Sequence, residues 1–327
     1  MIDFQKYFSE RIVDVRDMNN KGNNRLFEIK LNRGSLLLKV YSTQHMDNWQ
    51  RGKVEFSALS CLWRKGFREI PQPILFHEKD SVAVYSYNSG KTLKANEVND
   101  EQICCAANFL GKLHKLDNED KSLFAPASAA CLSLREYMEV LDRRFRNVSL
   151  FAPENPILKR ARIFLDGRVY PEIEKLKEDL SAKSPDLNTE LSLDCQVLTP
   201  ADFGFHNILV SPNSYTFVDF EYFGRDDPAR QILDFLHHDK SRDIKRDLSS
   251  LFLEEYRKRA NPKEGFDERL RLVDSLVGMS WVLIYLNPLS KGYREHKRFV
   301  LGDDRDLIEE RLNKAEDKMN HLRYFER

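Results

Sequence analysis

Short apolar runs with strand-like alternation dominate residues 12–87 of the 327-residue chain and predict a small β-sheet. Residues 26–31 and 36–41 form two such runs, and the Asn-Arg-Gly-Ser stretch between them is typical of a hairpin turn. Residues 81–87 predict a further strand. Apolar residues at helical spacing over 54–62 predict one helix between these strands.

After Gly90 the apolar spacing changes from that of strands to that of helices. Helices are predicted over 103–114, 132–145, 157–180 and 303–325. Pro171 is expected to kink or break the third of them, because proline lacks an amide donor. Strand periodicity returns at 208–210 and 215–218, which predicts a second hairpin.

This order of elements predicts an α+β fold with two lobes. Residues 1–87 form a small antiparallel-sheet lobe in this prediction. Residues 88–327 form a larger helical lobe that carries the buried second hairpin. The sequence contains no internal repeat, low-complexity tract or long linker.

The charge balance and the cysteines narrow the function classes. The 52 Lys and Arg residues equal the 52 Asp and Glu residues, which argues against a nucleic-acid scaffold or a polybasic membrane binder. The longest nearly apolar run, 276–286, is too short for a transmembrane helix, and the charged N-terminal residues do not resemble a signal peptide. Five cysteines without a CxxC spacing are typical of a reducing compartment. We therefore expect a cytoplasmic protein with no nucleic-acid or membrane partner, whereas the oligomeric state is not predicted.

Two carboxylates and an amide are arranged around the second hairpin as phosphoryl transfer requires. Asp202 is followed five positions later by Asn207, and Asp219 follows the hairpin. A catalytic carboxylate accepts or orients the attacking hydroxyl, while an amide oxygen and a second carboxylate hold Mg²⁺ on the nucleotide phosphates. The spacing predicts Asp202 as the catalytic residue and Asn207 and Asp219 as metal ligands. An ordinary turn is the alternative for an isolated Asp and Asn pair.

The literal Asp-Phe-Gly at Asp202 suggests a different assignment, because in protein kinases that motif holds the metal. A catalytic Asp with an Asn five residues later would then lie upstream. Asp179, Asp186 and Asp194 lack an Asn at that spacing. The assignment of Asp202 as the catalytic residue is therefore preferred.

The small lobe supplies candidates for phosphate binding. Lys39 lies in a predicted strand with apolar neighbours, where an unpaired lysine is costly, and Glu55 on the following helix is its expected partner. Gly22, Asn23 and Asn24 lie between two strands, where backbone N–H groups approach phosphate in other proteins. A solvated lysine and a solvated helix-face acid are the alternatives for Lys39 and Glu55.

The histidines are given structural roles. His206 is expected to form a hydrogen bond within its loop, and His114 is expected to be a core histidine with a satisfied partner. His237 and His238 are adjacent on a predicted helix and point about 100° apart, so they are not expected to share a metal.

Together these residues resemble the aminoglycoside phosphotransferase and choline kinase family from about residue 12 to about residue 240. The resemblance implies a bilobal protein-kinase-like fold, use of ATP and Mg²⁺, and transfer of the γ-phosphate to a hydroxyl of a small molecule. It also implies that Ser86 and Tyr87 contact the nucleotide in a hinge-like segment. The motifs that carry it besides Lys39 and Glu55 are SYNSGKTL at 86–93, LGKLHKLD at 110–117, the Asp and Asn pair at 202–207, VDFEY at 218–222 and DDPARQILDFL at 226–236.

Two positions depart from the family pattern. Pro200 stands where the family has a scaffold histidine, and Gln231 stands where it has an aspartate, with Asp234 as a candidate replacement. These departures keep open the alternative of a catalytically silent module that binds a nucleotide or a partner. The full set of Lys39, Asp202, Asn207 and Asp219 argues for the enzyme.

The acceptor is the least constrained part of the prediction. The loop TPADFGFHN is similar to family members associated with surface-polysaccharide metabolism, which favours a sugar or an amino alcohol. An aminoglycoside needs an acidic face, but the acidic pairs at 254–255 and 267–268 are interspersed with Lys and Arg. Choline needs an aromatic cage, for which Trp281, Tyr285 and Tyr293 are candidates, with core packing as the alternative. The choice between ATP and GTP is not predicted.

Overall fold

The chain begins with a sheet and continues mainly as helices. The computed structural model describes residues 3–18, 24–42, 50–212, 214–241, 244–290, 293 and 305–325. The strands are β1 (Asp14–Asp17), β2 (Arg25–Leu31), β3 (Gly34–Val40), β4 (Pro73–His77), β5 (Val82–Ser86), β6 (Val197–Thr199), β7 (Ile208–Ser211), β8 (Ser214–Phe217) and β9 (Gly224–Asp226). The longer helices are α1 (Arg51–Arg64), α2 (Asp100–His114), α3 (Asn118–Ser122), α4 (Leu134–Ser149), α5 (Pro156–Phe164), α6 (Tyr170–Lys183), α7 (Pro228–His237), α8 (Arg246–Ala260), α9 (Phe266–Tyr285) and α10 (Arg305–Met319).

The first five strands form one antiparallel sheet in the order β1-β2-β3-β5-β4. Side chains alternate between its two faces, so that Leu38 and Lys39 point in opposite directions. Leu38 packs with Phe27 and Ile29 in a small apolar cluster on one face. Lys39 lies opposite Leu26 on β2 and Ala83 on β5. The alternation thus places the buried Lys39 on the face of the sheet that is turned toward α1.

The helical part surrounds two short hairpin-like pairs, β6 with β9 and β7 with β8. Helix α2 packs on α8, and α9 packs on α4, α7 and α10. Phe109 of α2 stacks on Phe217 of β8 with ring centroids 3.7 Å apart, and Phe203 stacks beside them. Because Phe203 follows Asp202 directly, this aromatic stack anchors the loop that carries Asp202.

The α+β fold class is confirmed, because a five-stranded antiparallel sheet precedes a helical part. Both predicted hairpins form, and the helix over 54–62 lies within α1. The sheet ends at Ser86, while the large apolar core continues from α1 and β5 into the helices. The division at residues 87 and 88 stays a prediction.

The observed bounds correct two details of the predicted helices. The helical run continues through Pro171 without a break, and a π turn at Leu165–Val169 joins α5 to α6 just before it. The predicted tail helix ends at Met319 rather than continuing to 325. The backbone N–H groups of Tyr324 and Phe325 donate instead to the buried Asp274 carboxylate, at 2.7 and 3.1 Å. Among the described helices, none has the length and apolar character needed to span a membrane.

Candidate active site

Lys39 and Glu55 form a buried ion pair between β3 and α1. The Lys39 Nζ to Glu55 Oε2 distance is 2.7 Å, and the two residues are only 6% and 4% exposed. The Tyr41 hydroxyl donates to the same Glu55 oxygen at 2.7 Å, and the Phe220 N–H donates to the other oxygen at 3.2 Å. The structure thus brings together the pair that the sequence predicted, and it ties Glu55 to the segment after β8.

Asp219 lies on the opposite side of Lys39. Its Oδ1 accepts a hydrogen bond from Lys39 Nζ at 2.8 Å, and its side chain is 38% exposed. The backbone of Asp219 has a φ of 68°, a left-handed conformation that costs a non-glycine residue about 1–3 kcal/mol. Burial lowers the pKa of Lys39, but the charges of Glu55, Asp219 and Glu221 outweigh it and leave the pKa well above its usual range. Lys39 is therefore a fixed cation between two carboxylates.

Glu221 is a buried site residue that the sequence reasoning did not single out. Its carboxylate accepts hydrogen bonds from Asn24 Nδ2 at 2.5 Å and from an Arg51 guanidinium nitrogen at 3.1 Å. Burial and the nearby Asp219 charge raise its pKa, despite Lys39, Asn24 and Arg51. Its position in the VDFEY motif, two residues after Asp219, was the available signal. Of the predicted phosphate loop, Asn24 thus contacts Glu221, whereas Gly22 and Asn23 lie outside the described residues.

Asp202 and Asn207 are held by a short loop between β6 and β7. Asn207 Nδ2 donates to the Asp202 carbonyl oxygen at 2.9 Å, and its backbone carbonyl accepts the Val218 N–H at 2.9 Å. Ala201, next to Asp202, has a φ of 66°. These bonds place the Asp202 and Asn207 side chains on the same cleft as Asp219.

Two histidines contact the Asp202 carboxylate. His206 Nε2 lies 3.1 Å from Asp202 Oδ1, and His238 Nε2 from the end of α7 lies 3.6 Å from the same oxygen. The two imidazole rings stack with centroids 4.5 Å apart. Burial alone would raise the pKa of Asp202, but its contacts with these histidines hold it well below its usual range. The two histidines thus favour the ionised form of Asp202.

The structure agrees with the expected roles of the histidines, and it adds a contact between His238 and Asp202. His206 bonds within its loop, as expected. His114 is buried with its Nδ1 2.8 Å from the Tyr256 hydroxyl. His237 and His238 point apart, because His237 Nε2 lies 2.7 Å from Asp274, whereas His238 faces Asp202. The contact of His238 with Asp202 was missed, and no local pattern signalled it.

The two departures from the family pattern have visible consequences. The Thr199 hydroxyl donates to the Gln231 side-chain carbonyl and accepts the Ala201 N–H at 3.0 Å. Gln231 thus supports the loop itself. Asp234 has other partners: it accepts hydrogen bonds from Arg230 and from Trp281 Nε1, each at 3.1 Å. Pro200 contributes its carbonyl, which accepts the Asp202 N–H at 2.9 Å.

A cleft of about 600 Å³ lies between the sheet and the second hairpin. Leu26, Leu37 and Leu209 give it apolar walls, and Ser86 and Tyr87 line one edge. Ser86 bonds to Gln72 and Asn88, and the Tyr87 hydroxyl accepts a hydrogen bond from Arg16 at 3.3 Å. Among the described residues, nothing pairs with the backbone N–H and C=O of Tyr87. The predicted residues Asn24, Lys39, Glu55, Ser86, Tyr87, Asp202, Asn207 and Asp219 all line this cleft.

A second cavity of about 330 Å³ meets the first at Asp202. Its lining comes from the loop before α4, the Asp202 loop and the helices α4, α7 and α9. Trp281 lines it and touches His238 edge-on, with ring centroids 4.5 Å apart. Tyr285, proposed from the sequence as a further aromatic wall, is buried elsewhere, and its hydroxyl bonds to Asp239. This second cavity is named the Asp202 cavity below.

Comparison with known structures identifies the fold. A spectinomycin phosphotransferase in complex with ADP and spectinomycin superimposes with a TM-score of 0.64 at 12% identity, over 97% of this chain and 96% of that chain. A choline kinase from Streptococcus pneumoniae gives 0.61 at 16% identity, over 97% and 95%. An amicoumacin kinase in complex with AMP-PNP, Ca²⁺ and its substrate gives 0.61 at 14% identity, over 97% and 94%. The predicted bilobal kinase-like fold is thereby confirmed.

The sequence comparison assigns the family. No curated protein sequence matches this chain. The family model described as "Phosphotransferase enzyme family" matches residues 14–271, which include Lys39, Glu55, Asp202, Asn207 and Asp219. The chain belongs to this phosphotransferase enzyme family, and the prediction of a small-molecule kinase is confirmed.

Proposed function

We propose that the protein transfers the γ-phosphate of ATP, with Mg²⁺, to a hydroxyl of a small molecule that is a sugar or an amino alcohol. The single observation that carries the proposal is the meeting of two cavities at Asp202. One cavity is lined by Lys39, Asn207 and Asp219, and Asp202 lines both that cavity and the second one. The structural neighbours that hold ADP or AMP-PNP together with an acceptor support this arrangement.

In this proposal the cleft binds the nucleotide. The unpaired backbone groups of Tyr87 match the hydrogen-bonding edge of a purine base, and Leu37 and Leu209 supply apolar walls for its faces. Lys39, held by Glu55, presents its positive charge to the phosphates. Because Glu55 is fixed by Tyr41 and by the Phe220 N–H, the position of Lys39 is set before the nucleotide binds.

Asn207 and Asp219 fit a magnesium site by the chemistry of their donors. Asn207 uses its amide nitrogen for Asp202, and its amide oxygen has no partner among the described residues. Asp219 is partly exposed toward the same cleft. An amide oxygen and a carboxylate are ligands that Mg²⁺ prefers, and a bound ion would neutralise charge on the phosphates.

Asp202 receives the acceptor. Both histidine contacts use Oδ1, so that Oδ2 is left for the acceptor hydroxyl. As the hydroxyl oxygen bonds to the γ-phosphorus, the bond from phosphorus to the bridging oxygen breaks and ADP leaves. The hydroxyl proton passes to Asp202.

Thermal unfolding tests the proposal on wild type and Asp219→Ala, with and without ATP and with and without Mg²⁺. A ligand at 100 times its Kd adds about 2.7 kcal/mol, which shifts the midpoint by a few degrees. We expect a Mg²⁺-dependent shift that the substitution removes. No shift at millimolar nucleotide would contradict the proposal and favour a catalytically silent module.

A further inference from the structure

Arg144 is a cation in the Asp202 cavity without a partner. It lies on α4 and lines the cavity together with Asp202, Asp234 and Trp281. Its Nε is shielded from solvent and donates to no partner, and among the described residues no carboxylate forms an ion pair with its guanidinium. A buried donor without a partner is costly, and a buried charge without a counter-ion is more so. The chain therefore leaves guanidinium N–H donors of Arg144 available to a ligand beside the proposed catalytic carboxylate.

The other charges around this cavity are already satisfied. Arg230 is paired with Asp226 and with Asp234. The second oxygen of Asp234 accepts the Trp281 Nε1–H. Asp202 is held by its two histidines. None of these carboxylates accepts a hydrogen bond from Arg144, and Asp234 acts on it only through its nearby negative charge, so the guanidinium donors remain available to a ligand.

Arg144 nevertheless remains a cation at neutral pH. Burial, and next the charge of Arg230, lower its pKa to about 10, which is still well above 7. A guanidinium presents several N–H donors in one plane and binds carboxylate or phosphate with two parallel hydrogen bonds. The cavity volume of about 330 Å³ is at the small end of the range for ligand pockets.

We infer that the acceptor is a small hydroxyl compound with an anionic group, a carboxylate or a phosphate, which Arg144 binds while the hydroxyl lies at Asp202. This inference rests on the proposed function and revises its acceptor. It favours an acidic sugar over an amino alcohol, and it adds hydroxy acids to the candidates. An aminoglycoside or choline would bring a further positive charge toward Arg144, which is unfavourable at short distance.

Matched series of acceptors that differ only in charge test the inference. One series is glucuronate, glucose and glucosamine, and another is glycerate, glycerol and 3-aminopropane-1,2-diol, with glycerol 3-phosphate as the phosphate member. ADP release gives kcat and KM, and thermal stabilisation of the MgADP complex reports binding of members that are not phosphorylated. We expect the anionic members to give the lowest KM or the largest stabilisation in each series.

Substitution of Arg144 locates the effect. Arg144→Gln should raise the KM of the anionic acceptor about 10- to 100-fold, as loss of a charged hydrogen bond does, while the KM for ATP stays the same. The KM of Arg144→Lys for the anionic acceptor should lie between those of the wild type and Arg144→Gln, because lysine keeps the charge but not the paired donors. Arg143→Gln is the matched control, since Arg143 is the exposed neighbour on the same helix.

Three outcomes would overturn the inference: a preference for neutral or cationic members, no response to any anion, or equal effects of Arg143→Gln and Arg144→Gln. Each is distinguishable from failure of the proposed function. If MgATP stabilises the wild type and Asp219→Ala abolishes that effect, the phosphotransferase proposal stands whatever the acceptor series shows. If MgATP has no effect, the proposed function itself fails.

Discussion

The two cavities that meet at Asp202 differ in how their charges are balanced. In the cleft toward the sheet, Lys39 is bonded to Glu55 and Asp219, and Glu221 is bonded to Arg51. In the Asp202 cavity, Arg144 has no partner among the described residues. A charge that is paired within the chain positions its partner, whereas an unpaired charge selects a ligand of opposite sign. In the two proposals above, the cleft binds the nucleotide and the Arg144 donors in the cavity select the acceptor.

The largest expected effect is at Asp202, where the cavities join. Asp202→Asn removes the proton acceptor but keeps the shape of the side chain, so kcat should fall by about 10²- to 10⁴-fold. Nucleotide affinity, measured by MgATP titration, should change little. The exposed Asp247→Asn is the control and should keep wild-type turnover. Equal turnover of Asp202→Asn and wild type would remove Asp202 from the mechanism.

Breaking the charge balance of the cleft should cost stability as well as nucleotide affinity. Lys39→Met leaves the buried Glu55 carboxylate without its cation, and loss of one partner of a buried pair costs about 3–5 kcal/mol. Urea unfolding measures this cost. The double variant Lys39→Met/Glu55→Gln should recover most of the stability without recovering nucleotide binding.

Lys53→Met is the control for this prediction, because Lys53 is an exposed lysine on α1. It should change neither the free energy of unfolding nor the affinity for MgATP. If the double variant were as unstable as Lys39→Met, the cost would not come from the uncompensated Glu55 charge.

A smaller effect is expected at Trp281, where a substitution should change the KM of the acceptor and not the KM for ATP. Trp281→Phe removes the N–H that donates to Asp234 and keeps an aromatic ring at the cavity wall. Loss of a neutral donor to a carboxylate should raise the KM of the acceptor about 5-fold and leave the KM for ATP unchanged. Trp63→Phe, which lies on α1 away from the cavity, should change neither constant. A parallel rise in both KM values for Trp281→Phe would show that the cavities are coupled.

The smallest effect concerns pH. The lowered pKa of Asp202 means that the carboxylate stays ionised at pH values below those at which an ordinary aspartate becomes protonated, and removal of a histidine contact should raise that pKa. A base with a raised pKa is protonated at higher pH, so the acid limb of the kcat/KM profile should move upward in pH. His206→Phe, which loses the 3.1 Å contact, should move it more than His238→Phe, which loses the 3.6 Å contact. His77→Phe is the control and should leave the pH profile unchanged. If His206→Phe and His238→Phe also left the acid limb unmoved, the histidine contacts would not be the cause of the low pKa of Asp202.

Much of the nucleotide side was predictable because its signals are local. Lys39 is a lysine in an apolar strand, and Asp202, Asn207 and Asp219 lie within one loop and hairpin. A strand fixes which face each residue occupies, and a hairpin returns the chain to its starting point, so spacing along the sequence is close to spacing in three dimensions. The fold class and both hairpins followed from the same periodicities.

The acceptor side was not predictable because its residues come from distant segments. Arg144 lies on α4, His238 directly follows α7 and Trp281 lies on α9. On its own helix, Arg144 cannot be distinguished from its exposed neighbour Arg143. Only the packing of α4, α7 and α9 around the Asp202 loop decides which charges are buried and which are paired. The sequence by itself determined that this chain is a kinase-like phosphotransferase. Only the tertiary structure decided that Arg144 lines the Asp202 cavity without a hydrogen-bond partner for its Nε, because burial and pairing depend on contacts between residues far apart in the chain.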